Sequence, residues 1–320
     1  MRISFRYLLC FSQPVNKRRA TPSPSPASGT AWTEQWDRFW FLPSDPKALS
    51  ILRIGLASLA ACWILSLWNE LPRWFAAEGL LPPSTTRELG SMIFPIDQWR
   101  WSPLELIGSA VALRAFLAVA VVIAAGVALG FGGRWLAAAL LLCTLMIVHR
   151  GAPVMGAGPT PLVLGLLSVV LGTPHANGLR SLAGPAPWSG MALRLAQFHL
   201  GLLLIAQGLA AWAEPVWREG EAAGYLMSAW SGINPLADRL LQPSIVNLMT
   251  HGMLLTVVVA LVALSRPAAW RWLLGSGLAY AAWLLILAGQ WLYAGSIASM
   301  VVAVSLWQKN RSPSLRSAVI

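Results

Sequence analysis

Residues 194–220 read RLAQFHLGLLLIAQGLAAWAEPVWREG, and no Asp, Glu, Lys or Arg interrupts the run between Arg194 and Glu214. As an α-helix rising about 1.5 Å per residue, that run is about 28 Å long, close to the roughly 30 Å hydrocarbon core of a bilayer. Gln197, His199 and Gln207 supply the only amide or imidazole groups along it. A helix at a water-facing surface needs a polar face, and three such residues do not make one. Inside lipid every backbone N–H and C=O has to bond within its own segment, so the run is read as a membrane-spanning helix. Trp212 and Trp217 follow at its end, where a ring that is half apolar and half wet suits the headgroup layer.

The rest of the chain extends this reading. Of 320 residues 57% are hydrophobic and only 11% charged, and the mean hydropathy is +0.62, too apolar for a water-soluble domain of this length. The expected fold class is all-α: a polytopic integral membrane helix bundle of about eight spans, with interfacial helices in two long outer connections. The net charge of +11 does not point to nucleic acid, because the basic residues fall mostly in the termini and loops, where they bias membrane topology. Cys10, Cys62 and Cys143 have neither metal-ligand nor disulfide spacing, so no metal, cofactor or disulfide is expected.

Taken in order, residues 1–31 carry Lys17, Arg18, Arg19 and the run TPSPSPASG, and a disordered cytoplasmic tail is expected there, an upstream start codon being the alternative. Residues 32–307 form the transmembrane domain, and 308–320 a basic cytoplasmic tail. Trp32 to Phe41 is an amphipathic lead-in. The first span is expected from Ala48 to Trp68, with Asp45 as its cap and Pro46 in its first turn. Arg53 sits one to two turns inside it and is expected to snorkel back to the headgroups. Asn69 to Ser102 is a polar connection with Trp74, Trp99, Trp101, Glu70, Glu78, Glu88 and Asp97.

The second span, Pro103 to Leu129, carries Glu105 and Arg114, which lie on opposite faces about 13 Å apart along the axis. Arg114 is expected to face the bundle interior. Trp135 to Val148 is a short third span between Arg134 and Arg150, each able to snorkel outward, and Thr160 to Leu171 is a fourth, shorter still. The fifth is expected from Gly190 to Trp212. A second connection, Ala213 to Pro243, holds Trp217, Trp230, Glu214, Glu219, Glu221 and Asp238, and the sixth span runs from Ser244 to Leu264. The charge-free stretch Trp272 to Trp307 is too long for one crossing and divides near Ala288-Gly289-Gln290 into two more. If the amino terminus is cytoplasmic, the cytoplasmic segments hold more than twice the Lys and Arg of the outer ones, as the positive-inside rule requires. Both termini are then cytoplasmic, and a bacterial cytoplasmic membrane is the expected location.

Several motifs then suggest a family. Asp45-Pro46-x-x-Leu49-x-x-x-Arg53-Ile54-Gly55 opens the first span, and Gly79-Leu80-Leu81-Pro82 lies in the first connection. Gln197 is followed by Gly208-Leu209-Ala210-Ala211 and then Trp217-x-x-Gly220. In order and spacing these resemble the HTTM group, the membrane domain shared with vitamin-K-dependent gamma-carboxylase, over roughly Trp36 to Trp307. The resemblance implies an active-site helix at the fifth span with a lysine as base and a histidine in the turn entering the following span. Here Ala210 and Ala211 stand in the place of the lysine motif, and Thr160 or its neighbours in that of the histidine. Neither Ala nor Thr takes up a proton as that chemistry requires, so carboxylase activity is not expected.

Candidate residues for other chemistry are His251, His199 and Arg114. Gln197 and His199 point to nearly opposite sides of the fifth span, whereas Gln197, Gly201, Gly208 and Ala211 share a face suited to close packing. His199 is expected as a hydrogen-bonded interior residue. Asn247 and His251, four apart, share a face of the sixth span and could bond a polar ligand or another helix. His149 and His175 lie near span ends and are expected to be solvated. The functional expectation is a membrane protein binding lipid, quinone or a partner peptide between its helices. The alternatives are a membrane enzyme of changed chemistry at the outer face and a transporter, the latter weakened by the scarcity of ionisable groups in spans.

Overall fold

The structure, a computed structural model, describes residues 31–41, 44, 46–82, 84–85, 88, 102–156, 158–173, 187–228 and 240–316. The expected tail before residue 31 lies outside this set, as do Cys10, Asp45, Asp97, Trp99, Trp101, His175, Trp230 and Asp238. The chain divides into two compact units, 1–39 and 40–320. Of the first, the described part belongs to helix α1, Ala31–Phe41, on which Trp32 and Trp36 lie one turn apart with ring centroids 5.8 Å apart.

The second unit is a helical bundle. Its long helices are α2 (Pro46–Ser66), α4 (Ala110–Leu129), α5 (Gly133–Arg150), α8 (Pro187–Ala213), α11 (Pro243–Leu264), α12 (Trp270–Ala288) and α13 (Trp291–Arg316). Short helices join them: α3 (Glu70–Phe75), α6 (Ala152–Met155), α9 (Pro215–Arg218) and α10 (Ala222–Ser228). A further helix, α7 (Thr160–Gly172), has 13 residues. Among the described residues seven helices are long and apolar enough to cross a bilayer, and this is an integral membrane protein. The expected fourth span, α7, is shorter than a crossing, yet it is walled in by α2, α5, α8 and α13. Neighbouring helices therefore cover it, where an isolated span would have to match the lipid alone.

Each boundary has a local cause. Pro46 and Pro243 occupy first turns, where a missing N–H costs nothing. Gly289, at φ +61°, ends α12, and α13 starts two residues later, so the charge-free stretch divides where the sequence placed the break. Two boundaries differ from expectation. Glu105 is not within a span: Pro103–Leu106 forms a separate 3-10 turn, and α4 begins at Ala110. Helix α13 continues past Trp307, the expected end of the last span, through the basic segment as far as Arg316.

Successive helices run in opposite directions. The end at which α2 begins is the near end here, and the opposite end the far end. Helix α13 lies at the centre, packed on α2, α7, α8 and α12. Of its apolar window 67% is buried, against 28% for α4 and for α11 at the periphery. On α4, Leu113, Leu117, Ala120, Ala124 and Val127 face inward at helical spacing, while Val111, Val119 and Val122 are exposed. Those valines are unfavourable in water and at home against lipid tails. Lipid is as apolar as the core, so close contact rather than water release holds the helices together. At Gly277 of α12, for example, a Cβ would overlap Val301 of α13.

Polar side chains close the near end by capping neighbouring helices. Arg134, in the first turn of α5, donates from Nη2 to Leu171 O at 3.1 Å and from Nε to Thr173 O at 3.3 Å, both at the end of α7. Gln197 of α8 and Gln308 of α13 donate to the same carbonyl, Leu264 O at the end of α11, at 2.7 and 3.0 Å. The carbonyls of a last helical turn lack partners within their own helix, and these donors supply them. Arg134 thus does not snorkel outward. Arg150 departs further: it is fully buried, its Nη2 donates to Phe75 O at 3.0 Å and Leu81 O at 3.3 Å, and its guanidinium lies 5.0 Å from the Phe75 ring centroid. The first connection folds back over the end of α5 and seals this arginine from solvent. Arg53 is buried too, because the turn after α4 covers its guanidinium.

Candidate functional site

A polar feature with room for a ligand lies at the far end, where the segment after α8 meets the start of α11. Gly220 makes the turn between α9 and α10 at φ +82°, a conformation that favours glycine. A side chain there would also overlap Asn247 and come 3.0 Å from His251 Cε1. Two hydrogen bonds then hold the segment on α11, and a third, within α11, orients the Thr250 hydroxyl. Asn247 Nδ2 donates to Glu219 O at 3.4 Å, the Ala223 N–H to Thr250 Oγ1 at 3.0 Å, and Thr250 Oγ1 to Val246 O at 2.9 Å. Thr250 is fully buried, so this link is shielded from water.

Between the two walls is a cleft of about 470 Å³. Glu219, Gly220, Glu221, Gly224, Tyr225 and Ser228 form one side, and Leu241, Pro243, Val246 and Asn247 the other. Glu219, Glu221 and Tyr225 are exposed, and two carboxylates two residues apart give the mouth a negative field. The phenol, hydroxyl and amide groups of Tyr225, Ser228 and Asn247 can both donate and accept. A cationic group carrying several N–H donors meets the most partners in this setting.

His251 sits beside the cleft rather than in its lining. Its Nδ1 lies 3.0 Å from Asn247 O, and since a carbonyl only accepts, Nδ1 is the donor, which in the neutral ring leaves the lone pair on Nε2. Asn247 and His251 therefore do come together as their spacing implied. His199 is elsewhere, within the bundle on α8: it is 7% exposed, and its Nδ1 is 3.3 Å from Ser168 Oγ on α7. Ser168 Oγ donates in turn to Leu164 O at 3.2 Å, so His199 is an interior hydrogen-bonded residue. Arg114 contradicts expectation. It is exposed on the outer face of α4, five residues into that helix, because Leu113 and Leu117 take the inward positions around it. The three candidates thus occupy three separate places.

The face of Gln197, Gly201, Gly208 and Ala211 packs on α11. Gln197 bonds Leu264 O, and a Cβ at Gly201 would meet Leu264 Cδ2 at 3.2 Å. Ala211 is buried and Ala210 exposed, and Thr160 is exposed at the start of α7. The sequence reading missed a third polar locus: Gln207 Nε2 donates to the Tyr293 hydroxyl at 3.3 Å, with Tyr280 buried among the helices. Gln207, in the apolar run after His199, was its signal. Cys62 and Cys143 are free thiols on α2 and α5, and His149 is half-buried near the end of α5. Among the described residues no three His, Cys, Asp or Glu side chains converge on a metal position. No family model, curated protein or solved structure matches the chain.

Proposed function

We propose that this protein is a non-carboxylating relative of the HTTM group that binds a basic peptide segment of a partner in its far-end cleft. The carrying observation is that cleft, with Glu219 and Glu221 at its mouth and Tyr225, Ser228 and Asn247 offering hydrogen bonds. Of the ligand classes the sequence allowed, the negative field disfavours an anionic lipid headgroup and gives a neutral quinone ring little to gain. A Lys or Arg side chain gains from both the charge and the acceptors. The placement of Lys and Arg supports a far end outside the cytoplasm and both termini inside, in a bacterial cytoplasmic membrane.

Fluorescence anisotropy on the protein in nanodiscs tests the reading, using labelled Lys/Arg-rich and Glu-rich peptides of matched length. Basic peptides are expected to bind, to weaken with added salt, and to lose about tenfold in affinity in the Glu219→Gln, Glu221→Gln double variant. Equal binding of both peptide sets, or an unaffected double variant, would sink the proposal.

A second reading, an enzyme of changed chemistry at the same face, draws on His251. An imidazole whose Nδ1–H is held by a carbonyl presents Nε2 as a base, here next to Gly220 of the cleft. His251→Ala is expected to abolish any turnover of the bound peptide while leaving peptide affinity and the melting temperature nearly unchanged. Turnover at the parental rate excludes His251 as the base.

A further inference from the structure

The near end holds a buried cation that the proposed function does not use. Arg53 lies seven residues after Pro46, about 10 Å along α2, and is 6% exposed. Helical side chains lean toward the amino terminus of their helix, so the guanidinium is carried back toward the near end. There it meets the turn that closes α4. Gly130 stands at φ +85°, and a Cβ on it would sit 3.0 Å from Arg53 Nη2 and 3.4 Å from both Cζ and Nη1. Three nearly equal distances place that absent side chain over the face of the guanidinium. Glycine at this turn thus lets the backbone close over one face of the cation, while Nη1 and Nη2, unlike Nε, are not among the buried unpartnered atoms.

Among the described residues Arg53 has no hydrogen-bond or ionic partner, and its Nε is buried without one. Arg134, the other arginine at the start of a neighbouring helix, spends its donors on Leu171 and Thr173. A guanidinium withdrawn from water without an anion is strongly unfavourable, whereas its fork matches the oxygens of a phosphate in a bidentate way. We propose that Arg53 and the Gly130 turn form a binding site for a phosphate group at the near end of the bundle, supplied by a phospholipid headgroup or by free phosphate. The site is separate from the far-end cleft and carries the opposite charge, so each proposal can fail without the other.

The test is thermal unfolding of the detergent-solubilised full chain with three probes: dioctanoyl phosphatidylglycerol, dioctanoylglycerol, which lacks the phosphate, and inorganic phosphate. Phosphatidylglycerol is expected to raise the melting temperature of the parent and dioctanoylglycerol not to. An equal rise with inorganic phosphate assigns the site to the free anion, and a rise with the lipid alone assigns it to the headgroup. Arg53→Met is expected to lose the response, and Arg114→Gln, which removes an exposed cation, to keep it in full. Should Arg53→Met fail to fold, Arg53→Lys decides, since a point charge without the fork is expected to bind about tenfold more weakly. Absence of a phosphate-dependent rise in the parent overturns the proposal. A response that persists in the Arg53 variants, or that Arg114→Gln removes equally, overturns it too.

Discussion

The two ends of the bundle are built from different materials. At the near end, long polar side chains on one helix reach the last carbonyls of the next: Arg134 to α7, and Gln197 and Gln308 to α11. Cations there lie over tryptophan rings, Arg194 and Arg311 at 5.0 and 4.8 Å from the Trp307 centroid and Arg271 and Lys309 at 5.4 Å from that of Trp270. At the far end, connecting segments fold back on the bundle, pinned by Arg150 at the end of α5 in one case and by Asn247 and Thr250 in the first turns of α11 in the other. Helix-to-helix bonds leave a closed, basic end. Folded connections leave an acidic end with a cleft. Recognition chemistry thus gathers where the chain has spare backbone, and anchoring chemistry where helices simply stop.

The widest separation between the ends should appear in topology. A reporter active only outside the cytoplasm is expected to work when fused after Gly224 and to be silent after Gly184. The reverse pattern would exchange the roles assigned to the two ends. Next in size is Arg150→Met, which strips Phe75 O and Leu81 O of a charged donor in a fully buried place. A loss of about 2–4 kcal/mol is expected in denaturant unfolding, and a value near zero would remove the clamp from the account.

The near end should respond more gently. Gln197→Leu and Gln308→Leu are each expected to cost about 0.6 kcal/mol, because the remaining amide still serves Leu264 O. The double variant should cost more than the sum, since only then is the carbonyl left bare. Strict additivity in a double-mutant cycle would show that the amides do not share one acceptor in solution.

How far the sequence revealed this contrast depends on the kind of information needed. Span order, the break at Ala288-Gly289-Gln290 and the small-residue face of α8 were all legible, because each follows from hydropathy or helical period. The Asn247 and His251 pairing was legible for the same reason, being an i, i+4 relation within one helix. The arginines were not. Whether Arg53, Arg114 or Arg150 is buried depends on which distant segment crosses its helix end: the turn at Gly130, nothing, or residues 75–81. The cleft was hidden likewise, since its walls meet only after Gly220 turns α10 back onto α11.

The central position of α13 also bears on how the protein is made. It is the last of the described helices and the most enclosed of the seven long ones, contacting α2, α7, α8 and α12. Helices inserted before it have to wait around an unfilled axis, with their inward faces on lipid or on provisional neighbours. Assembly of these helices is therefore completed only after synthesis has reached α13. A chain that stops early lacks the piece the others are shaped to hold, which gives membrane quality control a ready sign that the protein is unfinished.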